Sequence, residues 1–138
     1  MRQALHRLTR STNRKGLYEM TGEIADWVGR QGMATGLLTV FCRHTSASLL
    51  IQENADPTVR EDIEGFFEGL APEGSHYAHD TEGPDDMPAH LRTALTQTGL
   101  AVPVGGGRLL LGTWQRIYLF EHRARPHRRE IVLHLLGE

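Results

Sequence analysis

Apolar and polar residues alternate loosely along "QALHRLTR" (3–10), and a period of two marks a strand with one covered face. "GLYEM" (16–20) is a second strand candidate. The period then changes. In "GEIADWVGRQG" (22–32), Ile24, Trp27 and Val28 fall on one helical face, with Thr21 placed to cap the helix and Gly32 to end it. "GLLTVFCR" (36–43) is apolar at both parities and predicts a strand covered on both faces. "SLLIQ" (48–52) continues that strand or forms its own.

Asp56-Pro57 predicts a helix start, since Asp supplies the cap acceptor and Pro is tolerated in the first turn. Val59, Ile63, Phe66, Phe67 and Leu70 then repeat at helical spacing. Residues 71–86 are a polar loop, and loops of that length inside a domain are usually functional or disordered. Asp85 or Asp86 is expected to cap a further helix, "MPAHLRTALTQTG", which Gly99 would terminate. "LAVPV" (100–104) is a short strand and Gly105 to Gly107 supply a turn. "RLLLGTW" and "RIYLFEHR" are expected to pair antiparallel, and "EIVLHLLG" closes the chain. This order predicts a single compact α+β domain over 1–138, with a largely antiparallel sheet and about three helices. Neither βαβ alternation nor a GxGxxG or GxxxxGK[ST] motif occurs.

Composition narrows the classes. The 138 residues are 39% hydrophobic and 23% charged, with a formal net charge of −2, as expected of a soluble globular domain. The only basic run is Arg123, Arg125, Arg128 and Arg129, which argues against nucleic acid as a partner. One cysteine, Cys42, excludes an intrachain disulfide. No apolar stretch has the length of a membrane span, "MRQALHRLTR" lacks the apolar run of a signal peptide, and a cytoplasmic location is the default.

Eight histidines change the picture. In the first group, period two places His44 after Leu38, Val40 and Cys42, at the edge of a buried face. Thr45, Ser46 and Ser48 beside it are small donors suited to an anionic oxygen. The second group, "HYAHDTEGPDDMPAH", gathers His76, His79 and His90 with Asp80, Glu82, Asp85 and Asp86, the composition of a divalent-metal site without a standard zinc spacing. His90 is expected in a first helical turn, where neutral, ligating imidazole is favoured. In the third group, "GTWQRIYLFEHRARPHRR", Gln115, Ile117, Leu119, Glu121 and Arg123 share one face, so His122 points the other way. Trp114 is expected in the core or at its rim. Arg123, Arg128 and His127 could bind phosphate or simply form a basic turn. His6 and His134 read as structural, and Cys42 as a buried thiol.

"HTSASLLIQENADP", "EGPDDMPAH" and "LGTWQRIYLFEHR" together resemble the signature blocks of the YjbQ-like family, whose members are named secondary thiamine-phosphate synthase enzymes. The blocks come in the family's order and span most of the chain. The resemblance implies a homotrimer with sites near subunit interfaces. It also implies site roles for His44, His79, His90, Asn54, Asp56 and Gln115, and a transferase joining a pyrimidine pyrophosphate to a thiazole phosphate.

The expectation is an enzyme acting on a small phosphorylated metabolite. His44, His79 and His90 would bind a divalent ion, zinc or magnesium, or move protons. Thr45, Ser46, Ser48 and Arg123 would hold phosphate, while Asn54, Asp56 and Gln115 orient substrate. The competing readings are a non-catalytic module binding a metal or metabolite, a histidine- or metal-dependent hydrolase, and an assembly protein whose histidines stabilise a trimer contact.

Overall fold

The computed structural model describes residues 1–74 and 76–138, which form eight strands and three helices. β1 (Arg2–Thr12), β8 (His127–Gly137), β3 (Thr35–Cys42), β5 (Gly99–Gly105) and β6 (Arg108–Leu109) lie side by side in that order in one sheet. A second sheet has the order β2 (Gly16–Glu19), β7 (Gln115–Glu121), β4 (Ala47–Glu53). All these pairings are antiparallel. The α+β class, the antiparallel sheets and the three helices are as the sequence predicts.

Alternation builds the core. Leu38, Val40 and Cys42 of β3, Ile131, Leu133 and Leu135 of β8, and Ala47, Leu49, Ile117 and Leu119 of the second sheet meet in one buried cluster. α1 (Thr21–Arg30) closes that cluster with Ile24, Trp27 and Val28. The opposite face of β7 carries Tyr118 and Phe120, which pack on Leu17 and on Phe67 and Ile63 of α2 (Pro57–Leu70). α3 (Asp86–Leu95) follows the polar loop. The two sheets thus face each other across the core, α1 packs into that core, and α2 covers the opposite face of the smaller sheet.

Several local expectations change. β3 is covered on one face only: Leu37 and Phe41 remain 46% and 45% exposed, because no layer lies outside the larger sheet among the described residues. "RLLLGTW" does not pair with "RIYLFEHR". β6 turns back on β5 through Gly106 and Gly107, whose φ values of 59° and 76° suit glycine, while β7 crosses to the other sheet. α1 starts at Thr21 itself, whose hydroxyl accepts from the Ile117 N–H at 2.8 Å instead of capping. α3 ends at Leu95, four residues before Gly99. Thr96 Oγ1 contacts the Arg92 carbonyl there, and Gln97 bridges to Leu49 of β4. No helix among the described residues is long and apolar enough to cross a membrane.

Candidate metal centre

Asp86, the first residue of α3, organises the site. Its side chain is buried, yet its carboxylate faces three partners. Oδ2 lies 2.7 Å from His79 Nε2 and 3.2 Å from His90 Nε2, and Oδ1 accepts from Arg123 Nη1. The i, i+4 spacing puts Asp86 and His90 on one helix face. Glu82 Oε2 adds a contact to His79 Nε2 at 3.3 Å. One ligand atom from each of His79, Glu82, Asp86 and His90 lies within 4.8 Å of all the others.

Asp85 and Asp86, expected to cap α3, instead turn their carboxylates to Arg123. Asp85 makes no capping bond of its own to the helix; its Oδ2 accepts from Arg123 Nε at 3.1 Å and from the Ala124 N–H at 2.8 Å. Arg123 also donates to the Glu82 carbonyl at 2.8 Å. Arg123 therefore fastens the polar loop to the end of β7, and the three nitrogens expected to hold phosphate are engaged within the chain. His90 sits in the second turn of α3, not the first, and its Nδ1 lies 3.0 Å from the Thr45 carbonyl. A carbonyl only accepts, so Nδ1 carries the hydrogen and Nε2 is the nitrogen turned toward Asp86.

Burial works to raise the Asp86 carboxyl, but the His79 hydrogen bond and the nearby Arg123 charge hold it below the ordinary carboxylate range. The hydrogen bond to Asp86 in turn raises His79. The Asp85 carboxyl is also held low: burial opposes this, and the Ala124 N–H and Arg123 outweigh it.

His44 does not join this group. Its Nε2 accepts from the Glu130 N–H at 2.8 Å, and Arg129 Nη1 lies 3.5 Å from its Nδ1. The three expected histidines therefore do not meet; the group that could hold an ion is His79 and His90 with the carboxylates Glu82 and Asp86. The reason is topological: His44 follows β3 of the larger sheet, while His79 and His90 are carried by the loop and α3.

Ser46 Oγ accepts from Arg129 at 3.0 Å, and Thr45 contributes its carbonyl to His90. Ser48 is sealed inside, 2.8 Å from His122 Nε2, with Thr96 Oγ1 2.6 Å from its hydroxyl. It is not available to a ligand from outside. Asn54 donates to Glu19 at 2.7 Å, Asp56 caps α2 through the Thr58 N–H at 3.0 Å, and Gln115 accepts from the Gly112 N–H at 2.8 Å. These three serve local structure and do not meet the His79–His90 group. Trp114, expected in the core or at its rim, is 60% exposed.

His6 stacks on Trp27 and His134 Nε2 lies 2.9 Å from Gln3 Oε1. His127 Nδ1 lies 2.8 Å from the Arg125 carbonyl. His76 packs against Tyr77. Burial pushes the Cys42 thiol up from 9.0 to about 11, which removes it as a nucleophile.

One pair escaped the sequence reading. Glu121, fully buried, accepts from Arg129 Nε at 2.8 Å and from Thr12 at 2.6 Å, and also pairs with Arg129 Nη2. Its signal was present. Period two puts Glu121 on the core face with Ile117 and Leu119, and Arg129 on the core face with Ile131 and Leu133.

Comparison with known proteins agrees with this fold. Residues 6–138 match the family model described as UPF0047 protein YjbQ-like. A UPF0047 protein of Synechocystis is 54% identical over 138 residues, covering 99% of this chain and 94% of its own. UPF0047 protein YjbQ of Escherichia coli O157:H7 is 44% identical over 132 residues, covering 95% and 96%. A crystal structure of a YjbQ/UPF0047 protein from Clostridium acetobutylicum superposes with a TM-score of 0.84 at 31% identity, covering 96% and 99%. These designations name a family and no reaction, which overturns the thiamine-phosphate synthesis and the transferase class expected from the resemblance. What sequence and architecture jointly establish is membership: the chain belongs to the UPF0047 family of YjbQ-like proteins.

Proposed function

We propose that the protein is a divalent-metal-binding module for a small phosphorylated metabolite, with His79, Glu82, Asp86 and His90 as the ion's ligands. One observation carries the reading. His90 Nε2 and Asp86 Oδ2 are both acceptors, yet they face each other at 3.2 Å. Without a proton on Nε2, two lone pairs at that distance repel unless a cation lies between them. His79 and Glu82 complete a set of donors close enough to share it.

The donor set fits a borderline ion of the zinc type better than magnesium, which prefers oxygen ligands alone. Such an ion, when bound, supplies a Lewis acid for an oxygen of the ligand. The chain does the rest. The Thr45 carbonyl fixes the His90 tautomer, and Arg123 orients Asp86 and offsets the local negative charge. Arg14, Lys15 and Arg60 lie elsewhere, around the groove beside Gly16, among Glu61 and Glu64, and we assign that groove no role.

A homotrimer is part of the same reading. The outward face of the larger sheet presents Leu5, Leu37, Phe41 and Leu136, and neighbouring copies would cover it. We place the assembly in the cytoplasm, without a nucleic-acid or membrane partner.

Elemental analysis of the purified protein, with calorimetric titration of zinc and magnesium, tests the proposal. One zinc per chain, lost in His90→Ala, is the expected result. Protein that neither carries an ion nor takes one up overturns it. A thermal shift with phosphate monoesters but no product separates binding from hydrolysis, and light scattering reads the oligomer.

A further inference from the structure

A neutral imidazole has one acceptor nitrogen. His44 is approached at both of its nitrogens by groups that can only donate: the Glu130 N–H, 2.8 Å from Nε2, and the Arg129 guanidinium, with Nη1 3.5 Å from Nδ1. The shorter contact decides the tautomer. Nε2 accepts, so Nδ1 carries the hydrogen and points it toward an arginine N–H. Two donors then oppose each other with no acceptor between them among the described residues.

Arg129 cannot turn away. Glu121, buried behind it, holds Nε and Nη2, and Nη2 also donates to the Ser46 carbonyl at 3.2 Å and the Ser46 hydroxyl at 3.0 Å. Ser46 Oγ accepts from Arg129, so its own hydrogen is free to point outward. His44 and Ser46 line a cavity of about 610 Å³ with Phe41, Arg43, Thr45 and Thr98, and Arg129 lies buried behind them. Glu130, whose N–H meets His44, is already paired through its carboxylate with Arg43 at 2.6 Å. Charging the imidazole is disfavoured by burial and by Arg129, in keeping with a neutral N–H donor.

We infer that His44 Nδ1–H, Arg129 Nη1–H and Ser46 Oγ–H form an oxyanion-binding subsite for the phosphate or carboxylate of the ligand. This deepens the metal reading above by supplying the anionic half of the same ligand. Thr45 joins the two halves, since its carbonyl touches His90 while its neighbours His44 and Ser46 supply two of the donors. His44 is thereby an N–H donor and not an ion ligand.

Side-chain ¹⁵N spectra of the purified protein test this, with inorganic phosphate or acetate added at constant ionic strength in sodium chloride. The Nδ1–H tautomer at His44 and a saturable shift of its nitrogens are expected, with binding about tenfold weaker in Ser46→Ala. Tighter phosphate than acetate identifies a phosphoryl ligand; the reverse identifies a carboxylate. The Nε2–H tautomer, or no saturable shift with either anion, overturns the subsite. The His44 response should survive His79→Ala, so a failure of the metal reading leaves this result standing.

Discussion

Ser48 Oγ lies 2.8 Å from His122 Nε2 in a sealed layer between the smaller sheet and the helices. Thr96 Oγ1 lies 2.6 Å from Ser48 Oγ and 2.8 Å from the Arg92 carbonyl. Each short contact needs one hydrogen, and the carbonyl has none to give. Thr96 therefore donates to Arg92, Ser48 to Thr96, and His122 Nε2–H to Ser48. Burial, then the Arg92 and Arg129 charges, push the His122 imidazole down from 6.5 to about 3.

The sign follows from that depression. The folded state keeps His122 neutral while the unfolded chain protonates near 6.5. The contribution is complete above that value and falls as the pH drops toward about 3. Denaturant titrations of wild type and His122→Asn should differ in slope by about 1.4 kcal/mol per pH unit in this window. Equal slopes would show that His122 is not held neutral.

Removing the Ser48 hydroxyl strands the imidazole N–H. Ser48→Ala should cost about 1–3 kcal/mol in denaturant unfolding, although only one oxygen is lost. A cost below about 0.5 kcal/mol, as for an ordinary surface site, would contradict the chain of donors.

Glu121 and Arg129 form a buried pair in which either charge alone is uncompensated. Arg129→Met should cost about 3–5 kcal/mol, while Glu121→Leu with Arg129→Met should recover most of that loss. The two single variants and the double variant, measured by equilibrium unfolding, give the coupling directly.

Arg123 touches the ion site only through Asp85, Asp86 and the Glu82 carbonyl. Arg123→Ala should weaken zinc binding about 10–100-fold in calorimetry without removing a ligand. Unchanged affinity would mean that Asp86 needs no orienting partner.

Asp56 caps α2 and takes no part in the His79–His90 group. Asp56→Ala should lower the melting temperature by removing the cap on α2, and leave metal uptake unchanged.

The legible parts of the chain were those with a local cause. The Asp56-Pro57 helix start, the Gly106–Gly107 turn and the alternation of β8 are each set by a few adjacent residues. His79, Glu82, Asp86 and His90 were visible as a cluster because a short loop and one helical turn bring them together. What could not be read was strand partnership. β7 leaves its sequence neighbour β6 for β2 and β4, a choice made by tertiary packing. Open faces were equally hidden: Leu37 and Phe41 have the composition of a core strand but face outward.

Glu121, His122 and Arg123 are consecutive, and each is committed to a different partner: Arg129, Ser48 and Asp86. A substitution in this tripeptide damages one of these links. A deletion of one residue just ahead of it would hand every side chain to its neighbour's address and break all three at once. This stretch should therefore tolerate altered spelling far better than altered length.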